Sequence, residues 1–317
     1  MSNAITNIED NGITHHLKRF LEWTLSMNYS NETAKTRDIC VRRFIVWCDA
    51  RGLNKPQDIT KPILDRYRRY LFNYRKTNGA PLSFSTQHSH LAPIKAFFKW
   101  LNKENYIIYN PASDFELPRV PKHLPKHILT TDEINDLLNQ TAIYGDIGIR
   151  DRAIIETFYS TGIRRMELVN LKIHDLDLER GMVVVFEGKF QKDRYVPIGD
   201  RACAWVHKYM EDVRPELVRG EDTGHLFLTE YGEPFIRNRI SDLMKKYMLA
   251  VGIDKPGSCH LFRHAMATHM LDNGADIRYI QMILGHVNLS STEIYTQVSI
   301  KKLKQVHAAT HPAKLNK

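Results

Sequence analysis

The apolar positions of the first hundred residues recur at three- and four-residue intervals, the pattern of amphipathic helices. Around Thr14–Met27 the stripe is Leu17, Phe20, Leu21 and Leu25. Ser30 stands where an N-cap is needed; beyond it Val41, Phe44, Ile45 and Cys48 form a second stripe, which Gly52 is placed to end. Lys35, Arg42 and Arg43 lie off that stripe. Thr60 followed by Pro62 opens a third helix, where DRYRRYLFNYRK interleaves Arg66, Arg68, Arg69 and Arg75 with Tyr67, Tyr70 and Tyr74. A fourth helix buries Leu91, Ile94, Phe98 and Leu101, and Pro93 inside its pattern predicts a kink or a late start. The texture then changes. Pro111, Pro118, Pro121 and Pro125 punctuate a basic stretch, which reads as an extended connector. The expected layout is a helical domain over 1–112, a linker over 113–128 and a second domain over 129–317.

The second domain opens on a capping box, Thr130 with Glu133. A helix over Arg150–Ser160 stops at Gly162, and a short helix starts at Arg164. Met182–Phe186 is a β-branched run; the polar turn EGKFQKDR separates it from Tyr195–Ile198, which predicts a hairpin with a long loop. Helical patterns follow at Ile240–Val251, His260–Asn273, Ile277–Leu284, Ser290–Thr296 and Ile300–Ala309, with Gly274 and Gly285 as terminators. The fold class is α+β: mostly helical, with one small antiparallel sheet. No internal repeat or low-complexity tract is present.

Composition adds a partner class. The 317 residues carry a formal charge of +9, with 43% hydrophobic and 26% charged residues. That length suits two modest domains. The basic excess favours a polyanion, nucleic acid foremost, although charge alone equally allows a basic enzyme without one. Cys40, Cys48, Cys203 and Cys259 form no CxxC pair, so a zinc ribbon and a disulfide framework are both unexpected, and the cytoplasm is the natural compartment. The N-terminal residues lack the basic and apolar regions of a signal peptide, and no apolar run is long enough to span a bilayer.

Four places gather groups suited to phosphodiester chemistry. Breaking a phosphodiester without metal needs arginine forks for the non-bridging oxygens, a nucleophile for phosphorus and an acid for the departing oxygen. TGIRRMEL offers Arg164 just after a glycine break, with Glu167 one turn on to brace it. The hairpin turn displays Lys189. HLFRH places His260 and Arg263 three apart on one helix face. LGHVNLSSTEIYT carries His286 and, a short helix later, Tyr295. Taken singly, each has an ordinary reading as a solvated face, a hairpin charge or a packed tyrosine. His260 and His264 are spaced for a metal, but no further ligand accompanies them in HEXXH fashion, and no metal is expected.

In this order the four places resemble the tyrosine recombinase, or phage integrase, family, and most closely its Xer-type members. The likeness runs over nearly the whole chain and is densest in HLFRHAMATHMLDNGADIRYIQMILGHVNLSSTEIYTQVS. It implies a SAM-like helical core-binding domain ending near Asn110–Ala112, followed by the recombinase catalytic domain. It implies that Arg164 and Arg263 clamp the scissile phosphate. Tyr295 then attacks to give a 3′-phosphotyrosyl link, Lys189 protonates the 5′ oxygen, His260 acts as base or phosphate donor, and His286 bonds a non-bridging oxygen, with Glu167 orienting its neighbours. The resemblance further implies double-stranded DNA as partner, backbone contacts from Lys35, Arg42, Arg43, Arg66 and Arg69, no cofactor, and a tetramer on synapsed sites, alone or with a paralogous recombinase. The helix Ile300–Ala309, with Ile300, Leu303 and Val306 on one side, would dock on a neighbouring protomer. The chain departs from the family in Phe190, where Gly often follows the lysine, and in Met166, which is bulky. Arg165 adjoins Arg164, so choosing between them rests on register after Gly162. The rival readings are a type IB topoisomerase, a binding protein that keeps the fold without catalysis, and a metal-dependent nuclease.

Overall fold

The computed structural model describes residues 12–121, 127–186 and 193–285. The chain divides into two compact units, Met1–Lys122 and His123–Lys317.

In the first unit, α1 (Gly12–Ser26), α2 (Asn31–Asp49), α3 (Lys61–Asn73) and α4 (Phe84–Lys103) surround one core. The predicted stripes supply it: Leu17, Phe20, Val41, Phe44, Ile45, Cys48, Ile94, Phe98 and Leu101 are fully buried, whereas Leu25 is exposed. Ser30 caps α2 by accepting from the Thr33 amide at 3.2 Å. The helix ends at Ala50, and Gly52 follows with φ +70° to turn the chain away. Tyr67 leaves the basic face of α3 and joins the core, 4.9 Å from the Phe44 ring centre. Helix α3 ends at Asn73, so Arg75 lies beyond it, bridged to Pro81.

Pro93 does not delay α4, which Ser83 caps at its start by accepting from the Thr86 amide. Proline has no N–H for the carbonyl four residues back. That carbonyl, of Ser89, instead takes a contact from Cys40 Sγ at 3.6 Å, and this ties α4 to α2. Packing in this unit continues past the Asn-Pro-Ala motif: Phe115 is buried, and Lys95 Nζ donates to its carbonyl at 2.7 Å.

In the second unit the described elements are α5 (Thr131–Gln140), α6 (Gly145–Thr161), α7 (Arg165–Asn170), β1 (Leu176–Asp177), β2 (Met182–Val185), β3 (Arg194–Pro197), α8 (Asp200–Lys208), α9 (Arg214–Leu217), α10 (Arg237–Ala250), α11 (Cys259–Asp272) and α12 (Ile277–Leu284). The strands form one antiparallel sheet in the order β1-β2-β3, with Val183 opposite Val196. The expected hairpin is therefore present, with a short third strand on its edge. The capping box at Thr130 and Glu133 forms in both directions. Helices α8 and α9, joined through a π-helical stretch at Tyr209–Val213, occupy residues where no element is predicted.

Helix α6 is the centre of this unit, and most of its residues are buried. It carries a buried ion pair, Arg150 with Asp151 at 2.7 Å, both almost without exposure. Asp151 also accepts from the Tyr247 hydroxyl of α10 at 2.8 Å, while Arg150 donates to the Leu228 carbonyl and lies over the Phe235 ring. Burial, offset in part by Arg150 and Tyr247, raises the Asp151 carboxyl above its ordinary pKa.

Candidate active site

The site grows from the end of α6. Gly162 terminates that helix in the left-handed conformation, φ +59°, and its amide returns to the Phe158 carbonyl at 2.9 Å. A Cβ at this position would stand 2.3 Å from Met266 Cε, so both the turn and the packing exclude a side chain. The chain then swings into α7 with Arg164 as its N-cap.

The two adjacent arginines leave this turn in different directions. Arg164 Nη1 donates to Glu167 Oε1 at 2.7 Å, and Nη2 donates to the Gly285 carbonyl at 3.1 Å. Arg165 points elsewhere, donating through Nη1 to Ser241 Oγ of α10. Arg263 reaches the same neighbourhood as Arg164 from α11. It is 6% exposed, with Nη1 on the Gly162 carbonyl at 2.6 Å and Nη2 on the Leu284 carbonyl at 2.7 Å. Two guanidinium groups from distant parts of the chain thus converge on consecutive carbonyls at the C-terminal end of α12. That end carries the negative pole of the helix dipole, which favours cations there.

A third arginine, to which the sequence motifs give no role, completes the cluster. Arg194, the first residue of β3, donates from Nη1 and Nη2 to the two oxygens of Glu167 at 3.2 and 2.8 Å, and from Nε to the Ile283 carbonyl at 3.0 Å. Its only signal in the sequence is a charge at the end of a turn. Glu167 is nearly buried between Arg164 and Arg194. Burial alone would raise its carboxyl, but the hydrogen bonds and charge of Arg194, then of Arg164, bring it below the ordinary range. Glu167 therefore stays ionised.

His260 is in the first turn of α11 and reaches solvent. Packing around its ring, and then the charges of Arg165, Arg263 and Arg237, hold its pKa below the usual imidazole value. It is accordingly neutral at neutral pH and able to accept a proton. His264, one turn on, is shifted the same way by burial, then by His260 and Arg263. Among the described residues, no group of three or more His, Cys, Asp or Glu side chains is placed to hold a metal ion. Lys189, His286 and Tyr295 lie outside the described residues, as do the predicted helices Ser290–Thr296 and Ile300–Ala309.

The remaining basic candidates belong to the first unit. Arg42 pairs with Asp38 at 2.6 Å, and Arg43 Nη1 lies 2.9 Å from His90 Nε2. Lys35 is exposed beside Glu32 at 3.4 Å. Arg66 and Arg69 are exposed on α3. Among the described residues, no helix is long and apolar enough to cross a membrane.

Comparison with known proteins places this geometry in a family. Residues 127–302 match the phage integrase family model, and residues 16–108 match the phage integrase N-terminal SAM-like domain. The chain is 50% identical over 305 residues to a tyrosine recombinase XerC 2 of Ralstonia nicotianae, covering 96% of this chain and 88% of the relative. It is 34% identical over 303 residues to a tyrosine recombinase XerD of Yersinia pestis, covering 93% of this chain and 97% of that one. The fold matches the crystal structure of a XerH site-specific recombinase bound to a palindromic difH substrate, a post-cleavage complex, with TM-score 0.71 at 21% identity over 92% of this chain and 83% of that one. A family model over more than half of the sequence, and a relative half identical along almost all of it, establish that the chain belongs to the phage integrase family of tyrosine recombinases, enzymes that cleave and rejoin DNA.

Proposed function

We propose that the chain recombines double-stranded DNA at specific sites through Tyr295. The observation that carries this reading is the convergence of Arg164 and Arg263 on the backbone at Leu284 and Gly285, directly before His286. Two permanently charged forks at one point suit the non-bridging oxygens of a scissile phosphate, whose charge grows in the transition state. Tyr295 attacks phosphorus, forming a 3′-phosphotyrosyl bond as the bond to the 5′ oxygen breaks. His260, neutral beside its ring of cations, receives the phenol proton or donates to the phosphate. Lys189 supplies the proton to the leaving 5′ oxygen. His286 bonds a non-bridging oxygen, and Glu167 orients Arg164. The phosphotyrosine conserves the bond energy, so religation by a 5′-hydroxyl calls for neither ATP nor a metal.

The partner is duplex DNA, held in part by backbone contacts from Lys35, Arg42, Arg43, Arg66 and Arg69. Recombination needs two sites, which implies a tetramer on synapsed duplexes, of this chain alone or with a paralogous recombinase. The amphipathic stretch Ile300–Ala309 is the candidate link between protomers. Removing it is expected to spare single-site binding and weaken synapsis; equal loss of both would assign it to the fold of its own protomer.

The deciding experiment traps the covalent adduct. Bound sequences are first selected from a DNA pool, and a duplex nicked near the cleavage point is made from them. Incubation in EDTA and denaturing electrophoresis then compare wild type with Tyr295→Phe. A shifted band present only in wild type is expected. An adduct that survives Tyr295→Phe would give the nucleophile's role to another residue. No adduct on a verified site would leave a DNA-binding protein without cleavage.

A further inference from the structure

Arg164 is paired with Glu167, and an arginine neutralised by a carboxylate makes a poor clamp for a phosphate. The cluster escapes this because Glu167 is shared. Arg194 forks onto both of its oxygens, at 3.2 and 2.8 Å, while Arg164 takes one of them at 2.7 Å. Of the groups that meet at Glu167, two guanidinium groups and one carboxylate sum to +1, whereas Arg164 and Glu167 alone would sum to zero.

Arg194 is also anchored along its length. Its Nε donates to the Ile283 carbonyl at 3.0 Å, and its side chain lies flat against Gly285, where a Cβ would sit 3.0 Å from Cδ and Nε. Gly285 has φ +62°, so the turn that ends α12 and the seat of Arg194 need the same glycine. Arg194 thereby joins three elements: β3, which follows Lys189 in the chain; α7, through Glu167; and the end of α12, just before His286.

We propose that Arg194 is a positioning residue of the recombination reaction, sharing Glu167 so that Arg164 keeps both its aim and its positive charge for the phosphate. The inference rests on the phosphotyrosine reading above. A residue with a merely structural role would cost stability on removal. A residue that balances charge makes a different prediction: deleting Arg194 and the charge of Glu167 together restores the net +1 and should recover part of what deleting Arg194 alone removes.

The test uses the full-length chain in single-turnover cleavage of the nicked substrate, with DNA affinity and melting temperature measured in parallel. Arg194→Met should slow cleavage on the order of 100-fold, the scale of an ångström-sized misplacement, at nearly unchanged DNA affinity. Glu167→Gln combined with Arg194→Met should cleave faster than Arg194→Met alone. Cleavage by Arg194→Met at the wild-type rate would overturn the proposal, as would a double variant slower than the single one. Should Arg194→Met fail to fold, Arg194→Gln decides, since it removes both the charge and the fork while keeping a polar side chain. Slowed cleavage at undiminished binding then supports the proposal, and a wild-type rate refutes it. The Tyr295→Phe control separates the two readings: a wild-type adduct that depends on Tyr295, with no effect at Arg194, removes only this inference, whereas no wild-type adduct removes both.

Discussion

The adjacent arginines Arg164 and Arg165 illustrate how little a side chain's identity says about its task. Arg164 caps α7 and turns toward Glu167 and Gly285; Arg165, one residue on, turns toward Ser241 and the surroundings of His260. The charges that bear on His260 come from Arg165 on α7, Arg237 on α10, and Arg263 on its own helix, with His264 one turn away. These cations oppose protonation, so His260 keeps its neutral form to lower pH than a free imidazole. As pH falls, cleavage that uses neutral His260 should decline below the ordinary imidazole value of about 6.5. Arg165→Met removes the largest of these charge effects and should move that acid limb upward. A single-turnover pH profile checks this; a limb that stays in place would mean that Arg165 serves only the α7–α10 packing.

Among the elements, α6 does the most to place the site, because its C-terminal glycine sets the direction in which Arg164 leaves. Its N-terminal half is held to α10 by the buried Arg150–Asp151–Tyr247 network. A buried ion pair stabilises little against a well-packed apolar substitute, yet breaking it leaves a charge in the core. Asp151→Ala leaves Arg150 in the core with only the more distant Glu230 carboxylate, at 3.9 Å, and should destabilise the second unit by roughly 3 kcal/mol. Tyr247→Phe removes only a hydrogen-bond donor and should cost less, about 1–2 kcal/mol. Urea unfolding of the two variants measures the ordering, and equal effects would contradict it. The elements themselves were largely legible. The stripes of α1, α2 and α4 are stated by their spacing, and the caps at Ser30 and Thr130 by their chemistry. Pro93 does not delay the start of α4, and the Ser89 carbonyl that it leaves without an amide takes a contact from Cys40 on a different helix. Residues 200–217 gave no prediction, and there a short helix passes through a π-helical stretch into a single further turn.

For the whole molecule, the charge of +9 is a statement about association with DNA rather than about fold. Each phosphate contact releases counterions and adds about 0.9 to the slope of log K against log salt. Arg42 and Arg43 have protein partners, Asp38 and His90, which phosphates would have to share or replace. Replacing both arginines with alanine should lower the slope by about 1.8 if both meet phosphates. An unchanged slope, read from binding titrations across salt, would leave Arg42 as a pair within α2 and Arg43 as a tie from α2 to α4, and shift the contact to the exposed Arg66 and Arg69.

By itself the sequence determined the periodicities, the caps, the hairpin, the basic balance and the order of the family motifs, all of which are encoded between near neighbours. It also determined the charges of Arg164, Glu167 and Arg263, which are properties of single residues. Only the tertiary structure decided which of two adjacent arginines faces the end of α12, that Glu167 is shared, and that Arg194 is the residue sharing it. These depend on contacts between residues 27 and 121 positions apart, made by a left-handed turn at Gly162 and a bare backbone at Gly285. Local spacing carries no record of such distances, because the chain brings those residues together only when the helices pack.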